Sequence, residues 1–539
     1  MKVTSTTLMS ASLGLALLMA LALLWIGPTH AVLAPWDTVI HFDESWRIYS
    51  GQRPHTDFTN SVGAFVYWLT AVGMHLTQPS AFAIVVGNVI FLALAVGIAC
   101  FVAYRRLPPL EAFAFTIFVI LLASAMTQIG RPAELTGYVE WYNRYGWTLA
   151  CVFFLQQLFP VRDGLAARPI AEAIVAAVTL SIVVYTKATF GVVCALALVA
   201  GIVLNQRWRD RNYMAALIAT GAACIAAAWL VMGVNLFAYI SDVLSAGGVQ
   251  TLRRRGGSIY ETLKMAAPRV ALLGVIWLLL VALPTRAKAM STREAIRITL
   301  FGAGIGLGAV LIAFGNTGEQ GEIPLFIVLG LMLWTETRNV QQQRAWVRPL
   351  AGAVLLLGLA GPIVMRDAAS IGLAASTRAY RAAPVNRFSS PALADFVIPH
   401  DTDWVTEYWR SAELPVRIND GVAMLERETP ANATVFSLAF SNIFPYALQR
   451  PAPRHTSVWF EYGLNFTEHK FPPPEPMFSD AAYVMIPIIT ENDVYRGGKE
   501  TLDVLLQDYS DYLQTNYREK ARSQYWILLE RTTETNAGR

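Results

Sequence analysis

The sequence predicts a polytopic α-helical membrane protein of about eleven transmembrane helices, followed by a soluble α/β domain at the C-terminal end. Three observations carry that expectation. Mean hydropathy is +0.43, with 55% hydrophobic and 15% charged residues over 539 positions; that is too apolar for a soluble globular chain and too long for one simple core. Apolar runs of near-spanning length recur up to residue 364 and stop there. Cationic residues fall in every second loop between the runs, the bias that keeps Lys and Arg loops on the cytoplasmic side.

The first run, 8–26, approaches the roughly 20 residues that cross a bilayer and exceeds a usual signal-peptide core. We read it as a retained span with its amino end inside, although Thr29-His30-Ala31 offers a cleavage-like site. Further runs follow at 81–104, 110–128, 147–159, 170–185, 190–204, 213–234, 270–283, 298–314, 324–334 and 350–364. The shorter ones imply tilt, extension or re-entry. Arg105 and Arg106, Arg162 and Arg168, Arg207 and Arg209, Arg286 and Lys288, and Arg338 and Arg348 mark the basic side, and an odd number of spans puts the C-terminal end outside. One basic triplet breaks the alternation. Arg253, Arg254 and Arg255 fall on the translocated side, where they either anchor to anionic headgroups or bind a substrate phosphate.

Composition divides the chain into a membrane domain, 1–366, and a soluble domain, 367–539. In the latter, 419–428, 442–448 and 499–514 read as helices, and 434–438, 482–487 and 524–531 as strands. No phosphate loop, metal spacing or nucleophile elbow appears there, so its expected role is structural or acceptor recognition. All four cysteines lie in apolar runs and suggest neither disulfide nor metal chemistry.

The functional signal is concentrated at 41–69, just after the first span. Asp43, Glu44 and Asp57 stand there in a chain otherwise short of acids beside its spans. Carboxylates next to a bilayer are costly unless a substrate, a cation or a solvated cavity receives them. Asp43 either serves such a site or caps a helix over 44–50, and the two are compatible. The second outer loop adds Glu140, Tyr142, Asn143 and Arg144 among interfacial aromatics. Lys187, on the outer side against the charge bias, is either a snorkelling helix-end residue or a phosphate contact. Glu319, in a Gly-rich turn, is either plainly exposed or faces a sugar.

Asp43-Glu44, Trp46-Arg47, Tyr49, Ser50-Gly51 and then Tyr67-Trp68-Leu69 together resemble the first outer loop of GT-C glycosyltransferases. Within that superfamily the pattern is similar to the protein O-mannosyltransferase and aminoarabinose transferase branch. The resemblance is specific over 31–74 and architectural elsewhere. It implies juxtamembrane helices at the outer face of a bacterial inner membrane and a sugar donor carried on a polyprenyl phosphate. The acceptor is then a glycan, lipid or protein hydroxyl, and nothing points to nucleic acid. By analogy with the family's first acidic residue, Asp43 is the expected general base, with Glu44 and Asp57 as partners. Lys187, Arg144 and Arg253 to Arg255 are candidates for the phosphate, and Glu140, Tyr142, Asn143 and Glu319 for the sugar. No cofactor is implied outright; a divalent cation, Mg or Mn, stays open at Asp43 and Glu44, provided turn geometry lets adjacent carboxylates converge.

Sugar transfer to a hydroxyl needs a base beside that hydroxyl, cations beside the departing phosphate and room between them for the anomeric carbon. One base and one displacement imply inversion. Two other classes share parts of this pattern. A polyprenyl-linked glycan polymerase or ligase uses the same donor, and a lipid or sugar transporter has as many spans but calls for internal repeats and mid-span charges, which are not seen. Convergence of the outer carboxylates and Lys187 on one cavity distinguishes the transferase.

Overall fold

The computed structural model describes residues 4–253, 258–315, 322–338, 340, 345–380, 387–398, 413–488 and 501–532. Arg254, Arg255 and Glu319 lie outside the described residues.

Helix α1 (Ser5–Ile26) is capped by Thr4, whose hydroxyl accepts from the Thr7 amide at 3.2 Å, and stops at Gly27 with φ 74°. Two short helices follow, α2 (Pro35–Tyr49) and α3 (Phe65–Leu76), separated by the short strand β1 (Phe58–Thr59). The bundle continues with α4 (Phe82–Arg106), α5 (Pro109–Ser124), α6 (Trp141–Leu158), α7 (Pro169–Thr186), α8 (Ala188–Leu204), α9 (Arg211–Val231) and α10 (Leu236–Arg253). Next come α11 (Ser258–Trp277), joined through a π-helical turn to α12 (Leu283–Arg286), then α13 (Thr292–Gly315) and α14 (Leu325–Glu336). Helix α15 (Val347–Ala353) runs through a second π-helical stretch into α16 (Gly361–Tyr380).

Every apolar run predicted from the sequence is helical: among the described residues seven helices are long and apolar enough to cross a bilayer, and five shorter apolar helices accompany them. The physical reason for the difference lies in what surrounds each helix. Helix α14 has 12 residues, about 18 Å at 1.5 Å per residue against a hydrocarbon core near 30 Å. Most of it is buried by protein, as is nearly all of the more polar α6. In α9, a full-length span, only Tyr213 and Ala228 are buried. Helices inside the bundle answer to their neighbours, and peripheral helices answer to lipid.

The basic ends meet at one pole. Arg105 and Arg106 both pair with Glu172, Arg162 donates to the Tyr104 carbonyl at 3.0 Å, and Arg207 to the Gln157 side chain at 3.0 Å. At the opposite pole lie α2, α3, the 125–140 loop, Lys187 and the C-terminal region. That region comprises α17 (Leu414–Glu428), β2 (Val435–Ser437), α18 (Phe444–Ala447), β3 (Thr456–Ser457), α19 (Pro474–Phe478), β4 (Tyr483–Pro487), α20 (Thr501–Asn516), β5 (Tyr517–Arg522) and β6 (Trp526–Arg531). Its sheet has the order β2-β4-β6-β5, with β2 and β4 parallel and the other pairs antiparallel. The sequence reading missed β5, whose Tyr-Arg-Glu-Lys-Ala-Arg composition is that of a charged edge strand.

The division expected at 366/367 falls inside α16, and the two parts are stitched together. Strand β1 pairs in parallel with β3, aligning Phe58 with Thr456 and Thr59 with Ser457. The Phe42 ring of α2 stacks on Tyr446 of α18 at 5.1 Å. Gly63 packs so closely on the end of α7 that a Cβ there would sit 2.1 Å from the Tyr185 carbonyl oxygen. The segment between α2 and α3 is thereby pressed against the corner that carries Lys187.

Candidate active site

Helix α2 organises the site. Pro35 occupies its first turn, where a missing N–H costs nothing, and Ala34 before it takes a left-handed φ of 39°. The helix therefore starts well before Asp43, which stands in mid-helix and caps nothing. At 100° per residue, Asp37, His41 and Glu44 share one face, whereas Asp43 and Arg47 share another. These two faces have different surroundings.

The Asp43 face is a docking surface. Asp43 and Arg47 are both fully buried, and Arg47 Nε donates to Asp43 Oδ2 at 2.9 Å. Arg47 Nη1 donates to the Pro453 carbonyl at 2.7 Å, with Trp46 Nε1 on the Arg450 carbonyl at 2.8 Å and Gln52 Nε2 on that of Ala452 at 2.6 Å. Burial pushes the Asp43 carboxyl up to about 6 against the opposing pull of Arg47. Glu44 turns away from Asp43 and accepts from Asn60 Nδ2. Burial, chiefly, raises its carboxyl well above the ordinary range. The two adjacent acids thus take different partners. Among the described residues no group of three His, Cys, Asp or Glu is arranged to hold a metal.

The Asp37 face lines a cavity of about 90 Å³, bounded by His41, Tyr67, Glu140, Tyr142, Trp459 and Glu461 among others. Glu140, just before α6, lines it with a left-handed φ of 47°; strain of this kind collects where the surroundings over-determine a residue. The Glu140 amide donates to the Asp37 carboxylate. The Asp37 carboxyl is nevertheless raised well above its ordinary value, first by burial and then by the like charges of Glu140 and Glu461. His41 donates or accepts at Thr70 over 2.7 Å and, held down to about 3 by burial, is neutral.

A polar chain leads from this cavity to Lys187, at the turn between α7 and α8. Glu140 Oε2 accepts from Gln128 at 3.0 Å and from Asn143 Nδ2 at 2.9 Å. Asn143 Oδ1 accepts from Lys187 Nζ at 3.0 Å, and Lys187 lies 4.7 Å over the Tyr142 ring. Beyond Lys187 runs an apolar groove of about 270 Å³ between α6, α8 and α13, lined by Phe154, Val193, Ala197, Leu204 and Gly308 among others. Val193 is six residues into α8 from Lys187, about 9 Å along the helix.

Glu140, Tyr142, Asn143 and Lys187 are thus brought together, whereas Arg144 and Asp57 are engaged elsewhere. Arg144 is 1% exposed, and its guanidinium is spent on Asp367 at 3.0 Å and on the carbonyls of Thr127 and Leu122. Asp57 ties its own turn, accepting from the Arg53 amide at 2.8 Å, and sits 3.6 Å from Arg454. Arg253 is the last residue of α10. Sequence reasoning missed Asp37, although Pro35-Trp36-Asp37 carries the helix-start signal. It missed Glu461 for want of any local signal.

No protein-family model matches the chain, and no curated protein matches it. Among solved structures, the crystal structure of ArnT from Cupriavidus metallidurans in the apo state is similar over 96% of this chain and 97% of its own, with 13% sequence identity and a TM-score of 0.49. The structure of ArnT from Cupriavidus metallidurans bound to undecaprenyl phosphate is similar over 98% of this chain and 99% of its own, with 12% identity and a TM-score of 0.47.

A second, larger cavity shares Trp459 with the first. It measures about 380 Å³ and opens between residues 56–61, α10 and residues 455–476. The β1–β3 pairing explains why Asn60 and Trp459 meet: Trp459 Nε1 donates to Asn60 Oδ1 at 3.3 Å. Asn60 also bonds the Tyr67 hydroxyl, so one amide connects Glu44, Tyr67 and Trp459.

Proposed function

We propose that the chain is an integral-membrane glycosyltransferase that passes a sugar from a polyprenyl phosphate to an acceptor hydroxyl, with Asp37 as general base and Lys187 as the phosphate contact. One observation carries this reading: Asp37, Glu140 and Glu461 converge on a cavity linked through Asn143 to Lys187, on the helix that further along lines an apolar groove. The acceptor oxygen attacks the anomeric carbon as Asp37 takes its proton. The bond from that carbon to phosphate breaks, and the polyprenyl phosphate leaves with the electron pair, its charge met by Lys187. A single displacement inverts the anomeric centre.

The geometry favours Asp37 over Asp43 as base because Asp43 is locked on Arg47 and lines neither polar cavity. Convergence of carboxylates and lysine at one pole also favours a transferase over a carrier. In this reading the pole opposite the basic loops faces the periplasm or cell exterior, and the C-terminal region covers it.

Turnover from a polyprenyl-phosphate sugar tests the arrangement through its pH profile. A base must be ionised, so activity falls as pH drops through the raised value of Asp37. Glu461→Gln removes one of the charges that raise it, and the acid limb is expected to move to lower pH. An acid limb that stays put or moves upward would contradict the assignment.

A further inference from the structure

We infer that the 380 Å³ cavity between residues 56–61, α10 and residues 455–476 is the acceptor pocket, and that its occupant is a saccharide. This inference rests on the transferase reading and deepens it. The volume lies within the range of about 300–1,000 Å³ typical of small-molecule sites. Its walls carry the two kinds of group that hold a sugar ring: aromatic faces from Trp459 and Phe471, and carboxylate and amide groups from Asp242, Asn60 and Asn465.

These groups are held in place. Phe471 packs edge-on against Tyr509 at 5.5 Å, and Trp459 lies 6.2 Å from Phe440. Asp242 Oδ2 receives His55 Nδ1 at 2.9 Å and the Asn60 amide at 3.1 Å, leaving Oδ1 without a hydrogen bond among the described residues. Lys470 is engaged on the Ser245 carbonyl at 2.7 Å, and with the Asp242 carboxylate opposite, the walls do not suit an anionic occupant.

Two further features fix the direction of transfer. Trp459 is common to both cavities, so a hydroxyl passing its edge reaches Asp37 and Glu461. Helix α10 bears Asp242 on the cavity side and exposes Phe237, Ile240 and Leu244 on its other side, at 82%, 45% and 70%. That apolar stripe seats the helix in the membrane interface. The pocket mouth therefore lies at the lipid surface, within reach of lipid-linked and free glycans alike.

Saturation-transfer NMR on the full chain in phospholipid nanodiscs tests this. The probes are a panel of methyl glycosides and hexose oligosaccharides, the same glycans on a lipid anchor, and a Ser/Thr-rich peptide. We expect saccharide binding that weakens at least tenfold in both Asp242→Asn and Phe471→Ala, with thermal melts near wild type for at least one of them. A stronger response from the lipid-anchored form assigns the acceptor to a glycolipid, and equal responses assign it to a free or polymer-borne glycan. No saccharide binding, binding unchanged in both variants, or binding of the peptide instead would overturn the inference. Lys187→Gln serves as the control: it is expected to weaken polyprenyl phosphate binding and leave saccharide binding intact. Saccharide binding without any polyprenyl phosphate binding would uphold this pocket while removing the donor reading.

Discussion

Asp37→Asn is expected to lower turnover by roughly a hundred- to ten-thousandfold, the range contributed by a positioned general base, with little change in helical content or thermal stability. The side chain is half-buried at the wall of a cavity, and its pair of like-charged neighbours makes the ionised form costly, so an isosteric amide relieves repulsion. Loss of activity therefore cannot be traced to unfolding. Asp43→Asn in the same assay is expected to keep most of its turnover, because Asn still accepts from Arg47 Nε and reaches no cavity. Equal losses in the two variants would return the base to Asp43.

Asp43→Ala should instead fail on stability. Removing one member of a buried ion pair leaves the other charge uncompensated, at a cost of about 3–5 kcal/mol. Arg47 is 0% exposed and reaches both Asp43 and the Pro453 carbonyl, so its loss of balance also loosens the C-terminal region from α2. The double change Asp43→Leu with Arg47→Met is expected to cost less than Asp43→Ala alone, since neither charge remains. The pH dependence has a definite sign. A carboxyl raised to about 6 in the folded chain is disfavoured when ionised; its contribution to stability is greatest below the unfolded value and is lost as pH rises toward 6. Thermal melts in nanodiscs between pH 4 and 7 should show this slope in the wild type and a flatter one in Asp43→Asn.

These two acids show how far the sequence could be read. The apolar runs were unambiguous because a bilayer demands long uninterrupted hydrophobic stretches, and each one is a helix. What hydropathy did not reveal is that α14 and α6 are shielded by protein and freed from that demand. Glu140, Asn143 and Lys187 stood out as polar residues where lipid was expected, and they form one hydrogen-bonded chain. The Asp43-Glu44 pair stood out equally, yet its side chains diverge around α2, and a motif in sequence says nothing about which helix face meets the cavity. Asp37 was readable only by starting the helix at Pro35. Glu461, Asn60 and Trp459 are brought together by strand pairing between β1 and β3, across nearly 400 residues, which no local pattern encodes.

The most direct test of the central claim is mass spectrometry of polyprenyl-phosphate sugars and envelope glycans in cells with and without the gene. Deletion is expected to make one polyprenyl-phosphate sugar accumulate while the same sugar disappears from a surface glycan or glycolipid; the wild-type gene restores both, and Asp37→Asn restores neither. An unchanged donor pool and an unchanged envelope on deletion would contradict it.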